Sequence, residues 1–445
     1  MPMAVDTFDP RDVRGDFPAL ARRRGGKPPI YLNNTCMTLR PRSVIEAITG
    51  YYASFPTCGG GRLDAQGRLS NWFQAELHEH EVESRRLMAE LLGAASPSEI
   101  VWTRNATEAL NIVAHGLTLE PGDEVVGCVR EHNSNLVPWL EVERALRKRS
   151  GTADLVVRRT FGLKPDGAFD LEQALAAITP RTRVLAIGHA SNLDGTRIPD
   201  ADIRALADRV HAVGGVLVLD AAQTVPHRRI DVQALGVDFL ACSIHKMCGP
   251  TAMGVLYGRQ EALTGLEPFI VGGDTVSDTW LDRVEYKPPP GRFEAGLQHY
   301  AGIVGTAAAI RYVRDHVGFE AIEAHERRLN RHLTDRLLPL LGDHLQLLGP
   351  VDADQRGGVL TLASHSGALI NAIERHADRQ ANVMVRVGMF CSNAYLHERF
   401  DARGSAANNL RVSVYFYNTL DELDVFADIV KGVLADPVAA MDEGA

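Results

Sequence analysis

The sequence has little of what marks several common classes of protein. It has only 6 cysteines among 445 residues and no Cys-x-x-Cys pair, so a disulfide scaffold is not expected. No apolar run approaches the roughly 20 residues that span a bilayer, and the acidic start of the chain lacks the apolar core of a secretory signal. Positive charge is not in excess, because 47 Lys and Arg stand against 56 Asp and Glu. We therefore expect a cytoplasmic protein that binds neither membranes nor nucleic acid.

The chain is long for a single domain. Its 445 residues exceed the roughly 250–300 at which one hydrophobic core usually stops growing. We predict a large domain over residues 30–310, and a smaller domain made of residues 1–29 and 311–445.

Short apolar runs alternate with amphipathic stretches through the first unit. The alternation predicts a mainly parallel sheet covered by helices on both faces, with polar site residues at the carboxyl ends of its strands. Predicted strands include 99–103, 124–128, 154–158, 183–189, 215–220 and 238–243, and predicted helices include 106–116, 136–148 and 200–213. After the prolines at 288–290 an α+β pattern follows, with helices over 303–316, 319–341 and 368–377, strands over 359–363, 383–387 and 410–414, and a last helix from 420.

One lysine comes directly after an apolar strand. Lys246 follows the predicted strand 238–243 on a short turn, with Ser243 and His245 before it. A lysine that leaves a buried strand is partly desolvated, which suits the formation of a Schiff base. An isolated His-Lys pair is more often a surface turn, so this interpretation depends on the segments that accompany it.

The neighbouring segment supplies a carboxylate. Asp220 ends the apolar strand 215–220, where it can pair with the pyridinium nitrogen of pyridoxal phosphate, and Gln223 can donate to the phenolic oxygen of that cofactor. Taken alone, Asp220 is more often a helix cap.

Two further segments complete the pattern. Residues 105–107 (Asn-Ala-Thr) stand between a strand and a helix, where backbone N–H groups and a hydroxyl can bind a phosphate. His132 lies just beyond another strand, where an imidazole can stack on a pyridine ring.

Together these segments resemble the class V aminotransferase-like, fold-type I pyridoxal-phosphate enzymes, and among them the cysteine desulfurases of the selenocysteine-lyase-like type. The resemblance covers nearly the whole chain from residue 31. Its most specific motifs are Glu131-His132 with Asn-Leu-Val-Pro-Trp at 135–139, His-Ala-Ser-Asn-Leu-Asp-Gly-Thr at 189–196, Asp-Ala-Ala-Gln at 220–223, Ser-Ile-His-Lys-Met-Cys-Gly-Pro-Thr at 243–251 and Arg-Phe-Glu-Ala-Gly at 292–296.

The resemblance implies an α/β fold of fold type I, with a mainly parallel, seven-stranded-type sheet in the large domain, a smaller α+β domain and a homodimer. It implies pyridoxal 5'-phosphate as the cofactor, with Lys246 as its Schiff-base lysine and proton carrier. The implied partners of that cofactor are Asp220 at the ring nitrogen, Gln223 at the phenolic oxygen, His132 on the ring, Asn192 beside the cofactor oxygen and the substrate, and Thr107, Ser243, His245 and the backbone of Ala106 at the phosphate. Arg411 would clamp the substrate carboxylate, and Arg386 is a further substrate residue.

The resemblance also implies the reaction. Cys391 matches the cysteine that takes sulfur from the substrate, cysteine or a cysteine derivative, and so forms a persulfide while alanine is released. A sulfur-acceptor protein would then be a partner. Free cysteines are otherwise most often small buried residues.

The sequence departs from the family pattern near the substrate. Met389 and Phe390 replace two histidines that usually precede the cysteine, and residues 58–62 (Cys-Gly-Gly-Gly-Arg) replace a His-Arg-Gly stretch. Leu297 replaces a threonine that reaches the cofactor phosphate of the partner subunit. The alternative is therefore a C–S lyase, epimerase or aminotransferase that acts on a larger amino acid without forming a persulfide. A non-catalytic scaffold is not expected, because the cofactor residues are all present.

Other motifs point to ordinary structure. The run His-Glu-His-Glu at 78–81 lacks metal-binding spacing, since side chains at i and i+2 do not share a helix face, so no metal site is expected. The glycines at 59–61 lack the Gly-Lys-Ser/Thr of a phosphate-binding loop and predict a flexible loop.

Overall fold

The computed structural model describes residue 3 and residues 8–59, 69, 71–150, 157–400 and 407–442. Its strands are β1 (Ile30–Tyr31), β2 (Ile100–Thr103), β3 (Glu124–Cys128), β4 (Val157–Phe161), β5 (Thr182–Gly188), β6 (Val216–Asp220), β7 (Phe239–Ser243), β8 (Gly254–Gly258), β9 (Val276–Thr279), β10 (Val284–Tyr286), β11 (Gln346–Leu348), β12 (Val359–Ala363), β13 (Val383–Met384), β14 (Arg386–Val387) and β15 (Asn409–Ser413).

The helices follow the amphipathic stretches of the sequence. They are α1 (Arg11–Arg14), α2 (Arg42–Ser54), α3 (Trp72–Leu92), α4 (Ala106–Gly116), α5 (Asn133–Ser150), α6 (Leu171–Ala177), α7 (Asp200–His211), α8 (Val232–Leu235), α9 (Gln260–Thr264), α10 (Tyr300–Ile310), α11 (Phe319–Leu337), α12 (Gly367–Ala381), α13 (Asn393–Phe400), α14 (Leu420–Ala435) and α15 (Pro437–Asp442). None of those described is long and apolar enough to cross a membrane.

A seven-stranded sheet forms the centre of the larger unit. Its strands lie in the order β2-β8-β7-β6-β5-β3-β4, and only β8 runs antiparallel to its neighbours. The predicted α/β class and mainly parallel sheet are therefore confirmed. Because β2, β3, β5, β6 and β7 point the same way, the segments that follow them meet at one edge of the sheet.

The edge strand β4 differs from its prediction. The sequence predicts a strand over 154–158, whereas the described strand is Val157–Phe161, and residues 154–156 lie outside the described part of the chain. Most of β4 is polar and partly exposed, as an edge strand can be, so the apolar pattern that marks the central strands is weak here.

Helix α10 connects the larger unit with the rest of the chain. It is almost entirely buried, it packs against α2 and α3, and it continues as a π-helix over Arg311–Val317 up to Gly318. The predicted domain boundary at 310 falls inside this continuous helical run, and the division into two domains stays a prediction. The helix predicted over 319–341 ends as an α-helix at Leu337, because Pro339 leads into a 3₁₀ turn.

The C-terminal unit is built on an antiparallel sheet of order β11-β12-β15-β14. The sequence predicts one strand over 383–387, but the chain changes its partner there. Strand β13 pairs in parallel with β1, and β14 pairs with β15. The second pairing sets Arg386 directly opposite Arg411.

Candidate active site

A cavity of about 310 Å³ opens at the carboxyl ends of the parallel strands. Its walls come from the segments after β2, β3, β5, β6 and β7, and from β14 and β15 of the C-terminal unit. Every site residue that the sequence predicts lines this cavity: Ala106, Thr107, His132, Asn192, Asp220, Gln223, Ser243, His245, Lys246, Arg386, Cys391 and Arg411.

Lys246 lies on a 3₁₀ turn that follows the fully buried strand β7. The turn is fixed from outside, because the backbone N–H and the hydroxyl of Thr38 both donate to the carbonyl of His245 at 3.2 Å. The lysine reaches the cavity, and its enclosure by protein lowers the pKa of its ammonium group from the ordinary value. The neutral amine, which is the nucleophilic form, is thereby favoured.

Asp220 and Gln223 project from the end of β6. The backbone N–H of Ala222 donates to Asp220 Oδ1 at 3.0 Å, which orients the carboxylate. Gln223 Nε2 donates to the carbonyl of Thr35 at 3.0 Å. Since an amide nitrogen carries two hydrogens, one N–H of Gln223 is left for a further acceptor.

Hydrogen-bond donors gather at the N-terminus of α4. Asn105 caps the helix, because its Oδ1 accepts a hydrogen bond from the backbone N–H of Glu108 at 3.0 Å. The backbone N–H of Ala106 donates to Ser243 Oγ at 2.9 Å. Strand β8 passes so close that a Cβ at Gly254 would collide with the Asn105 backbone, so only glycine fits there. The helix end is thus held against β7, where its dipole favours an anion.

His132 is a neutral ring at the cavity wall. Burial, followed by the nearby charge of Lys246, lowers the pKa of its imidazole to about 4. The backbone N–H of Ser134 donates to its Nδ1 at 3.1 Å, so the ring proton resides on Nε2.

Arg411 on β15 is packed between two neighbours. Its Nη1 donates to the carbonyl of Asn192 at 2.8 Å, and its guanidinium carbon lies 4.5 Å from the centre of the Phe390 ring. Asn192 in turn donates to the carbonyl of Phe390 at 2.6 Å. Burial lowers the pKa of Arg411 to about 10, and its buried Nε finds no hydrogen-bond partner among the described residues.

Cys391 lies on a turn between β14 and α13, and its side chain is exposed. The turn contains Gly388 at φ +125°, Phe390 at +52° and Cys391 at +59°, a left-handed region that non-glycine residues seldom adopt. The backbone N–H of Asn133 donates to the carbonyl of Cys391 at 2.7 Å and ties the turn to the start of α5.

Several cavity residues have no role in the sequence-based predictions, and two of them are Glu131 and Cys36. Glu131 is buried and accepts from Asn135 Nδ2 at 2.7 Å and from the N–H of Gly188 at 3.1 Å, and its burial raises its pKa to about 7. Cys36 follows β1, and its Sγ lies 3.8 Å from Arg386 Nη1. The only sequence signal for Glu131 is its place beside His132 in a specific motif, and Cys36 has none.

The other motifs are found outside the cavity. His80 stacks on Phe55 with ring centres 5.0 Å apart, and within the described ranges no group of three or more His, Cys, Asp or Glu could hold a metal ion. Of the glycine run 59–61, only Gly59 belongs to the described residues. Leu297, which replaces a threonine of the family pattern, does not line the described cavity, and 76% of its surface is exposed.

Comparison with known proteins identifies the family of the chain. The model of the class-V aminotransferase family matches residues 30–426. The chain is 35% identical to "Probable cysteine desulfurase 2" of Mycobacterium leprae and 32% identical to "Cysteine desulfurase" of Haloferax volcanii, over at least 96% of this chain and 98% of each relative. The solved structure of a cysteine desulfurase from Thermococcus onnurineus NA1 superimposes with a TM-score of 0.84 at 30% identity, covering 98% of this chain and 100% of that one.

Proposed function

Because this chain belongs to the class-V aminotransferase family, alongside cysteine desulfurases, we propose that it is a pyridoxal-phosphate-dependent cysteine desulfurase. The reaction would move the sulfur of L-cysteine onto Cys391 and release alanine. One observation carries the proposal: Cys391 is an exposed thiol that lines the same cavity as Lys246 and Asp220.

The donors at the α4 terminus suit the cofactor phosphate. Ala106, Thr107, Ser243 and His245 line the cavity, and the Ser243 hydroxyl, which accepts from the N–H of Ala106, keeps its own hydrogen for a phosphate oxygen. Backbone and hydroxyl donors at a helix N-terminus are a favourable site for a phosphate.

The opposite groups suit the cofactor ring. The carboxylate of Asp220 would hold the pyridine nitrogen protonated, and the remaining N–H of Gln223 would meet the phenolic oxygen. The neutral ring of His132 would stack on the cofactor without adding charge. Lys246 would attach the cofactor through its amine, whose pKa burial lowers from the ordinary value.

Bound pyridoxal phosphate supplies an electron sink for bonds at the substrate α-carbon. Lys246 would then remove the α-proton and return a proton later, because its amine titrates below the ordinary lysine range. Asp220 would sustain the reaction by keeping the ring nitrogen protonated.

Arg411 would recognise the substrate carboxylate. Its Nη1 is used by Asn192 and one face is covered by Phe390, which leaves Nε, buried and unpaired within the described structure, for a carboxylate oxygen. Guanidinium edges bind carboxylates in a bidentate way. Arg386, exposed at the cavity edge, would add positive charge to the entrance.

Cys391 would complete the reaction. Its thiolate attacks the substrate sulfur, an S–S bond forms, and the Cβ–S bond breaks. The electron pair of the broken bond passes to the carbon fragment, which is protonated and leaves as alanine. The persulfide then stands on an exposed turn, where a sulfur-acceptor protein could reach it.

The test is a comparison of the wild-type protein with Cys391→Ala in the presence of L-cysteine. We expect the wild type to form alanine and to gain one sulfur on the Cys391 peptide in mass spectrometry. Cys391→Ala should keep its cofactor absorbance and form no alanine. Cys242→Ala, which removes a buried thiol that does not line the described cavity, is the control. Full turnover by Cys391→Ala would contradict the proposal.

A second candidate is cleavage of the C–S bond in a larger cysteine derivative without a persulfide. The observation that favours it is the apolar pair Met389 and Phe390 beside the thiol, where the family pattern has histidines. Turnover of such derivatives by Cys391→Ala, with release of a keto acid, would support this reaction.

We also propose that the protein is a cytoplasmic homodimer. Exposed apolar side chains support a dimer, since Trp280, Leu281 and Val284 stand out on the β9–β10 hairpin and Leu297 follows nearby in the chain. Light scattering at micromolar concentration should give twice the mass of the 48.5 kDa chain. A fully active monomer would contradict the dimer.

A further inference from the structure

Two thiols besides Cys391 line the cavity and have no part in the proposed reaction, Cys36 and Cys128. Cys36 lies on the loop after β1 and lines the same cavity as Cys391. It is partly buried, and its Sγ is 3.8 Å from Arg386 Nη1. None of the motifs that carry the family resemblance includes it.

The surroundings of Cys36 differ from those of the three core cysteines. Cys128, Cys242 and Cys248 pack among apolar side chains, and burial raises the pKa of each of these thiols, that of Cys128 and Cys242 to about 12. They are therefore held as neutral thiols. Cys36 is not a member of the apolar clusters found among the described residues, and its polar neighbour is a guanidinium.

The same cations act on Cys36 and Cys391. The charges of Lys246 and of Arg411 each interact with both thiols. Strand β14 sets Arg386 opposite Arg411, and the turn with Cys391 follows that strand directly. The buried Nε of Arg411, unpaired in the described structure, also belongs to this group. Both thiols therefore line the same cavity as these cationic side chains.

We propose that Cys36 is a resolving thiol, which attacks the Cys391 persulfide, releases hydrosulfide and forms a Cys36–Cys391 disulfide. The inference rests on the proposed function, because only desulfurase chemistry loads Cys391 with sulfur. It adds an outlet for sulfur that requires no acceptor protein.

The step is balanced without an external oxidant. The Cys36 thiolate attacks the persulfide sulfur that is bonded to Cys391 Cβ, a new S–S bond forms, and the outer sulfur leaves as HS⁻ with the electron pair of the broken bond. The outer sulfur is reduced to sulfide while the two cysteines are oxidised to a disulfide. An external dithiol then restores both thiols. A disulfide requires Cα atoms roughly 4.4–6.8 Å apart, so its formation would hold the turn 388–392 against the loop of Cys36.

The experiment is a single turnover without reductant. Reduced, desalted holoenzyme is mixed under anaerobic conditions with one equivalent of L-cysteine per subunit and quenched with an alkylating reagent. We expect about one sulfide per subunit and a disulfide-linked peptide pair of Cys36 and Cys391. The variant Cys36→Ser should release at most a tenth of that sulfide and keep the added sulfur on the Cys391 peptide. Cys242→Ala, which removes a thiol that does not line the described cavity, is the control and should behave as the wild type.

The outcomes separate this inference from the proposed function. If alanine forms and the wild type, like Cys36→Ser, keeps its persulfide on Cys391 with Cys36 alkylated, the resolving role is wrong and the desulfurase stands. If neither protein forms alanine or a persulfide, both proposals fail. A Cys36–Cys391 disulfide in samples without added cysteine would indicate ordinary oxidation and would also overturn the resolving role.

Discussion

The two walls of the cavity are built in different ways. One wall consists of the ends of parallel strands. Asp220 ends β6, Ser243 ends β7, and Lys246 follows on a turn that Thr38 fixes by hydrogen bonds. The ladder of the sheet sets these side chains in place, because each strand is held by neighbours on both sides.

The other wall is a turn. Phe390 and Cys391 adopt successive left-handed conformations, and the turn is tied down through two carbonyls, by Asn192 and by Asn133. The comparison teaches that the proposed cofactor-binding groups belong mainly to the sheet, whereas the proposed sulfur-accepting group belongs to a turn. We therefore expect substitutions on the two walls to impair different steps of the proposed reaction.

The largest effect is expected from Lys246→Ala. Without the amine, no covalent link to the cofactor can form and no group remains to move the α-proton, so alanine formation should fall by about 10⁴-fold. Borohydride reduction followed by peptide mass spectrometry should find pyridoxyl-lysine at residue 246 in the wild type only. Exposed Lys164→Ala is the control, and a reduced adduct on any other lysine would contradict the assignment.

A smaller loss is expected from Asp220→Asn. The amide cannot hold the ring nitrogen protonated, so we expect about 100-fold lower turnover with most of the cofactor retained. Cofactor content from absorbance, measured beside the rate of alanine formation, tests this separation. Exposed Asp208→Asn on α7 should change neither quantity.

The turn wall is probed by Phe390→Leu. Loss of the ring that stacks on Arg411 should loosen the guanidinium and raise the KM for L-cysteine by about 3- to 10-fold. Turnover of 2-aminoethanethiol, which has no carboxylate, should not change in the same way. Phe390→Tyr keeps the aromatic face and should resemble the wild type. An equal loss with both substrates would mean that Phe390 does not act through Arg411.

The smallest effect concerns the pH dependence of stability. The folded-state pKa of Glu131 is raised to about 7 by burial, above its value in the unfolded chain. Its contribution to stability is therefore present at low pH and is lost as the pH rises towards 7, by at most about 1.4 kcal/mol per pH unit. Urea unfolding at several values between pH 5 and 8 should show a flatter dependence for Glu131→Gln than for the wild type. Exposed Glu79→Gln should leave the slope unchanged.

The strand-end wall could be predicted from the sequence because its signals are local. An apolar run that ends in Asp220, or in Ser243 and then Lys246, can be read within ten residues, and the parallel order of the strands brings the ends together. For the edge strand β4, the sequence predicts the first described residues but ends the strand at 158 instead of Phe161, because an edge strand does not need the apolar pattern.

The turn wall could be predicted only in part. The family resemblance identifies Cys391 and Arg411, but it contains no signal for the contact between Phe390 and Arg411 or for the hydrogen bond between Asn192 and Phe390. These contacts join residues of different elements, and no periodicity in the chain records them. The position of Cys36 beside Arg386 has the same origin, since the two are separated by 350 residues in the chain.

The parallel pairing of β1 with β13 also has a consequence for biosynthesis. Ile30 pairs with Val383, so β1 can pair only after about 350 further residues have been translated. At 5–20 residues per second, this translation takes roughly 20–70 s. During that interval, β1 lacks the strand with which it pairs, whereas the loop that carries Cys36 can already bond to Gln223 and His245. The sheet of the larger unit can assemble on the ribosome first, because all its strands come before residue 260. The cavity is therefore closed last, when the C-terminal unit emerges and captures the start of the chain.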